Sequence, residues 1–197
     1  MDNIWGIILA AGASTRMKKQ KMLLPFNGKT IIETVIEKVE FFLQKNMIVV
    51  VGADKEKIKK QIKNIRAKIV VNDNYNEGML SSVVCGLKAL PESADAVLVF
   101  LGDQPHIPSE IIEKVIMDWK NTSKGILIPS TNGRRGHPLL IGAKYFTEIE
   151  KLDPQKGLRK LSEKFKKDVL EVKCNFPGIL RDIDTPEEYE LEINKYN

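Results

Sequence analysis

Apolar and polar positions fall into two kinds of block along the chain. Short, near-continuous apolar runs occupy residues 4–9, 47–51, 68–71, 96–101 and 126–128. They have strand length and little alternation, the pattern of strands covered on both faces. Between them apolar residues recur at i, i+3 and i+4, which predicts amphipathic helices. Residues 30–43 carry Ile31, Ile32, Val35, Ile36 and Val39 in that spacing, and 54–65 carry Ile58, Ile62 and Ile65, with Asp54 the expected cap. A further helix is expected over 79–90, behind the Asn/Asp/Gly-rich loop 72–78. Pro108 and Ser109 open another, with Ile111, Ile112, Val115 and Ile116 apolar. Strand–helix alternation of this regularity predicts an α/β fold, a three-layer, doubly wound, mostly parallel sheet with right-handed crossovers.

Beyond Ser130 the pattern loosens. Residues 131–138 read as a polar loop, 139–141 as a short strand, 143–152 and 157–165 as helices, and 169–172 as a strand. Thr185-Pro186-Glu187-Glu188 is a capping box with proline at the first helical position, so a last helix starts there. No repeat, low-complexity tract or linker interrupts residues 1–197, which are expected to form one domain.

Composition narrows the class. With 43% hydrophobic and 29% charged residues the chain is globular rather than disordered. Its net charge of +5 suits phosphorylated substrates. The lysines of 55–68 and 156–173 interleave with apolar residues at helical spacing and read as solvated faces. No aromatic ladder for stacking bases accompanies them, so nucleic acid is not an expected partner. Cys85 and Cys174 lie far apart without a Cys-x-x-Cys pattern, so neither a zinc site nor a disulfide framework is implied, and Cys85 reads as a core residue. The first apolar run is too short to span a membrane and lacks a basic leader; no membrane partner and a cytoplasmic location are expected.

Candidate chemistry clusters where strands should end, the place at which open parallel sheets bind ligands. The run 4–9 stops at the small residues Ala10, Ala11, Gly12, Ala13 and Ser14, and Arg16, Lys18, Lys19 and Lys21 follow. Exposed backbone N–H groups with appended cations suit a polyphosphate. The loop is neither a Walker loop nor G-x-G-x-x-G. Asp103, directly after the 96–101 run, has the placement of a magnesium ligand, since Mg²⁺ takes one or two carboxylates plus phosphate oxygens and water. In Asp182-Ile183-Asp184 an extended chain sends both carboxylates to one side, so either is placed to approach the same metal. Gly78, Ser81 and Ser82 open a helix whose free N–H groups and hydroxyls suit an anion or a base. The basic turn Gly133-Arg134-Arg135-Gly136-His137-Pro138 suits a second substrate, and His106 reads as incidental. No Ser/His/Asp or Cys/His arrangement points to covalent catalysis.

Together these stretches resemble a known family. LAAGASTRMKKQK is similar to the signature LAAGxSxRMGxxK of nucleotidyltransferases in the molybdenum cofactor cytidylyltransferase group, and NDNYNEGMLSSVVCGL, LGDQP, GRRGHP and DIDTPEEY resemble its later motifs in the same order. The match runs from Ile7 to Tyr189 and departs once in the signature, Lys18 standing where the family usually has glycine. The resemblance implies a Rossmann-like nucleotidyltransferase that moves CMP from CTP to molybdopterin or molybdenum cofactor with loss of pyrophosphate, supports molybdenum hydroxylases and touches a molybdenum enzyme transiently. By the same resemblance Leu9, Ala10, Ala11, Gly12, Arg16, Lys21, Gly78, Ser81 and Ser82 line the nucleotide. Arg16, Lys21 and Asp103 carry catalysis, Asp103 and Asp184 hold Mg²⁺, and Arg135, Gly136, His137 and Pro138 meet the acceptor. Ala11, in LAAG rather than LAGG, argues for CTP over GTP. Three alternatives stay open: another phosphorylated acceptor such as a sugar or alcohol phosphate, GTP as donor, or a non-catalytic cofactor carrier or insertion factor.

Overall fold

A computed structural model of the chain describes residues 2–154 and 157–195. Its elements follow in the order β1 (Ile4–Ala10), β2 (Pro25–Phe26), β3 (Lys29–Thr30), α1 (Ile31–Leu43), β4 (Met47–Val51), α2 (Lys55–Gln61), β5 (Lys68–Val71), α3 (Met79–Leu87), β6 (Ala96–Leu101) and α4 (Ser109–Lys120). There follow β7 (Ile126–Thr131), β8 (Arg134–Arg135), β9 (Leu139–Gly142), α5 (Phe146–Glu150), α6 (Arg159–Lys164), β10 (Val169–Lys173) and α7 (Pro186–Ile193). The main sheet has the order β10-β7-β9-β6-β1-β4-β5, with β8 paired to β7. β1 runs parallel to β4 and β6, β4 to β5, and β10 to β7; β9 is antiparallel to both its neighbours. The sheet is therefore mostly parallel and doubly wound, as expected.

The near-continuous apolar runs are explained by burial on both sides. Ile8, Ala10, Val49, Val51, Leu98 and Phe100 pack on one face with Ile32, Val35, Ile36 and Val39 of α1, Ile58 of α2 and Ile111, Ile112 and Val115 of α4. Their strand neighbours Ile7, Leu9, Ile48, Val50, Val97 and Val99 pack on the other with Leu80, Val83 and Leu87 of α3, Ile149 of α5 and Leu161 of α6. A two-residue period sends alternate side chains into two apolar layers. Part-buried Cys85 packs against the second layer, as a core residue should. Among the described residues no helix is long and apolar enough to cross a membrane.

Several boundaries differ from the sequence reading. The expected loop 131–138 is partly a hairpin: Ser130 and Thr131 pair with Arg135 and Arg134, which carries β7 on to Thr131. Asp54 precedes α2 but makes no side-chain cap; it has a left-handed backbone, and its carboxylate takes Lys57 instead. The helices expected over 143–152 and 157–165 shorten to α5 and α6, the former led by a 3-10 turn at Ala143–Tyr145. A small hairpin of β2 and β3 was not anticipated; its turn is Asn27-Gly28, both with positive φ (48° and 79°), the conformation that two-residue hairpins require. α7 begins as expected with the Thr185–Glu188 capping box, and Ile183 just before it is buried with Phe26 and Ile31.

Candidate active site

The chain leaves β1 for β4 and β5 on one side and returns to β6 on the other, so the switch in strand order lies beside β1. The loops that follow β1 and β6 meet there, as the switch-point rule requires. Gly102 N–H donates to the Leu9 carbonyl at 2.9 Å, which sets Asp103 against the end of β1.

Residues 11–24 are braced from within. Gln20 donates to the Gly12 carbonyl at 3.3 Å, Ser14 Oγ donates to Gln20 at 2.9 Å and accepts from Lys21 N at 3.2 Å. Lys21 then opens a 3-10 turn, Lys21–Leu23, capped by Gln20. This bracing points the Lys21 side chain inward, where it is 7% exposed. Its Nζ donates to both Asp103 Oδ2 and Asp184 Oδ1, and Arg16 pairs with the other Asp184 oxygen at 2.5 Å. Residues 16, 21, 103 and 184 thus converge from three distant parts of the chain.

The electrostatics follow from that contact. Burial opposes the Lys21 ammonium, but Asp103 and Asp184 outweigh it and hold the lysine above its ordinary pKa. Burial likewise opposes ionised Asp184, yet Lys21 and then Arg16 keep its carboxyl below the usual range. Asp182 goes the other way: burial, then the negative charge of Asp103, raises it, although Gln104 donates to it. Asp103 and Asp184 are hard oxygen donors already gathered around one positive charge. That set fits a divalent ion that completes its shell with phosphate oxygens and water. Among the described residues no group of three or more His, Cys, Asp or Glu side chains is arranged to hold a metal, so the donors in question are this pair.

The remaining nucleotide-side candidates divide. Leu9, Ala10 and Ala11 are buried at the end of β1, so only their backbone faces the loop, while Gly12 is exposed. Ala11 adjoins Gly52 and Tyr75: a side-chain carbon added to Gly52 would lie 2.9 Å from Ala11 Cβ and 2.7 Å from Tyr75 Cβ. Gly78 lies on the rim of the cavity described below. Ser81 and Ser82 do not open toward it; both hydroxyls accept from Asn72, and Ser81 in turn bonds the Asn74 and Gly78 carbonyls. Their hydroxyls hold the 72–78 loop in shape.

A cavity of about 1260 Å³ opens beside these groups. Gln104 and Asp182 stand at its junction with the Lys21 crevice, and Arg134, Arg135, Gly136 and His137 of the β8 hairpin form one wall. Pro138 lies behind that wall, lining a small adjoining recess with His137 and Gln104. Gly136 is required where it is, because a Cβ there would sit 2.1 Å from the Ile179 carbonyl oxygen. Part-buried His137 loses solvent on the wall, which pushes its imidazole down to about 4 and keeps it neutral. Arg135 pairs with Glu171 and donates to Ser162.

Arg159 and Lys166, in the 156–173 stretch read as a solvated face, are indeed exposed, and they also border this cavity. His106, read as incidental, is 4% exposed with its Nε2 2.9 Å from the Gly178 carbonyl.

A family model described as MobA-like NTP transferase domain matches residues 6–169. Across its whole length the chain is 27% identical to the molybdenum cofactor cytidylyltransferase of Escherichia coli K12, of which the match covers 98%. It is 32% identical to a probable molybdenum cofactor guanylyltransferase of Natranaerobius thermophilus over 134 residues, 67% of this chain and 62% of that one. Among solved structures, Rv0371C of Mycobacterium tuberculosis H37Rv in complex with manganese is similar in fold, with a TM-score of 0.82 and 23% identity over 97% of this chain and 98% of that one.

Proposed function

The chain belongs to the MobA-like NTP transferase family and is a nucleotidyltransferase; from that premise we propose that it transfers CMP from CTP to the phosphate of molybdenum cofactor. Residues 1–197 act in this reading as one catalytic domain. The observation that carries it is the meeting of Lys21, Asp103, Asp184 and Arg16 beside a roomy basic cavity.

The reaction asks for little covalent chemistry. A phosphate monoester oxygen of the acceptor bonds to the α-phosphorus of CTP, the bond to the β-phosphate oxygen breaks, and pyrophosphate leaves. The attacking phosphate is already ionised at neutral pH, so no general base is needed. Catalysis reduces to alignment and charge neutralisation. Asp103 and Asp184 would hold Mg²⁺, which supplies Lewis-acid neutralisation of the phosphate oxygens. Lys21 and Arg16 add fixed positive charge at the same place. In this reading Ala11, packed with Gly52 and Tyr75 behind the loop, sets the backbone against which the base would lie. Arg134 and Arg135 face the acceptor's anionic groups from the cavity wall. The product would pass to a molybdenum enzyme through transient contact.

One observation favours a second reading, GTP as donor: the guanylyltransferase relative is the more identical over the part it matches. Comparing CTP with GTP in a pyrophosphate-release assay separates the two. The residue assignment is tested by Asp103→Asn, expected to fold normally and to release no pyrophosphate with either nucleotide; undiminished turnover would remove Asp103 from the mechanism.

A further inference from the structure

Asp184 reaches the crevice from a ribbon, residues 177–184, that lies outside the main sheet and begins as a 3-10 turn at Pro177–Leu180. His137 N–H donates to the ribbon's Ile179 carbonyl at 3.3 Å and Asp184 N–H donates to Glu188 at 2.9 Å, and the loop behind β6 holds the stretch between. Gln104 Nε2 donates to the Arg181 carbonyl at 3.1 Å and to Asp182 Oδ1 at 2.8 Å. His106 Nε2 bonds the Gly178 carbonyl at 2.9 Å, and Ile183 N–H reaches the Asp103 carbonyl at 3.4 Å. The loop is itself pinned from α1, where Lys38 Nζ donates to the carbonyls of Pro105 and Ile107.

Gln104 and His106 are 5% and 4% exposed, and each hides one polar atom without a hydrogen bond, Gln104 Oε1 and His106 Nδ1. Burying an unpaired acceptor is unfavourable, and an apolar side chain would avoid it. Gln104 grips the ribbon with its donor end, and His106 grips it through Nε2 while its Nδ1 faces the buried carboxylate of Glu192 at 3.8 Å.

We propose that Gln104 and His106 are positioning residues which, through the carbonyls of Gly178 and Arg181 and the carboxylate of Asp182, fix Asp184 against Asp103 and Lys21. The inference rests on the reading of Asp103 and Asp184 as the cation-holding pair. It gives the β6 loop a part in placing both carboxylates, one carried directly and one steadied across the gap. Partners that orient ligating carboxylates in this way commonly govern metal affinity by roughly 10–100-fold.

The test compares wild type with Gln104→Met, which keeps volume without donors, His106→Leu, and His106→Gln, which keeps a donor near Nε2. Amide hydrogen exchange of the ligand-free protein is read first. Gln104→Met and His106→Leu should speed exchange over residues 178–184 by about tenfold or more while β1, β4 and β6 stay protected. Titration with Mn²⁺ alone should then show binding weakened about tenfold. In turnover, kcat should fall with the KM for CTP little changed. His106→Gln should return all three readouts to within about twofold of wild type. Should His106→Leu not fold, Gln104→Met, at the cavity edge, carries the same comparison. Unchanged exchange over 178–184, or Mn²⁺ affinity insensitive to a loosened ribbon, overturns the proposal. Wild-type protein that neither binds Mn²⁺ nor releases pyrophosphate would instead defeat the proposed function, while exchange would still report whether the two side chains hold the ribbon.

Discussion

In the Lys21 crevice, charges are matched before any ligand arrives: Lys21 meets Asp103 and Asp184, and Arg16 meets Asp184. The cavity a few residues away is built otherwise. Arg134 and Lys166 make no ion pair among the described residues, and the pairs of Arg135 with Glu171 and Arg159 with Glu163 are exposed ones. Exposed pairs are cheap to break, contributing about 0–1 kcal/mol. The crevice therefore keeps its groups aligned by mutual attraction and suits the exchange of one cation for another, whereas the cavity keeps positive charge available for an anionic guest. In the proposed reaction, preorganisation would serve the reacting phosphates and adaptability the acceptor.

The sharpest way to break this contrast is to remove the cation that organises the crevice. Lys21→Met should lower pyrophosphate release on the order of 10²-fold or more, as loss of a charge-stabilising group does, measured at saturating nucleotide. On the other side, the double variant Arg134→Ala, Arg135→Ala should raise the KM for the acceptor about tenfold, the scale of one lost charge-assisted hydrogen bond, with the KM for CTP unchanged. A shift in both constants would mean the two regions are not separate.

Acidification distinguishes them next. Lys21 titrates above the ordinary lysine value in the folded protein, so its contribution to stability is complete below pH of about 10.4 and lost only as pH rises through the higher folded value. Asp184, held low, contributes above pH of about 3.9 and loses that contribution as pH falls through its lower folded value. These two contributions should be flat with pH between those limits. His137 behaves oppositely: neutral in the fold down to about 4 but charged in the unfolded chain below about 6.5, it costs stability as pH falls from 6.5 toward 4. The slope approaches about 1.4 kcal/mol per pH unit. His106 is also held low by burial and adds in the same direction. Denaturant unfolding at pH 7 and pH 5 should show the loss, and His137→Asn should flatten it.

The smallest effect concerns the loop itself. Lys18, where the family has glycine, sits at φ 54°, in the left-handed region that disfavours side chains. Lys18→Gly should shift stability by no more than about 1 kcal/mol, upward if relief of strain exceeds the added freedom of the unfolded chain; thermal unfolding reads the sign.

How much of this was legible depended on whether a feature is local. The buried strands and the α7 capping box were, because hydrophobic period and cap chemistry are written in consecutive residues. The carboxylates were legible as candidates through their places at strand or helix ends, Asp103 after β6 and Asp184 before Thr185. That Lys21 joins them, while Asp182 turns to Gln104, depends on contacts across 82 and 163 positions for the lysine and 78 for the glutamine. The bond of Ser82 to Asn72 was not legible, because a hydroxyl at a helix start suits a ligand and a loop brace equally well. The Asn27-Gly28 hairpin carried a local signal that was passed over, since two-residue strands lack a period. His106 and Lys38 had none, their roles arising only when distant carbonyls are brought beside them.

The most direct measurement is pyrophosphate release by the purified protein with each of the four ribonucleoside triphosphates, with and without molybdenum cofactor, in Mg²⁺. The account predicts release with CTP that depends on the cofactor and far less with the other three. Tight cofactor binding with no pyrophosphate from any nucleotide would contradict it and leave a carrier in place of an enzyme.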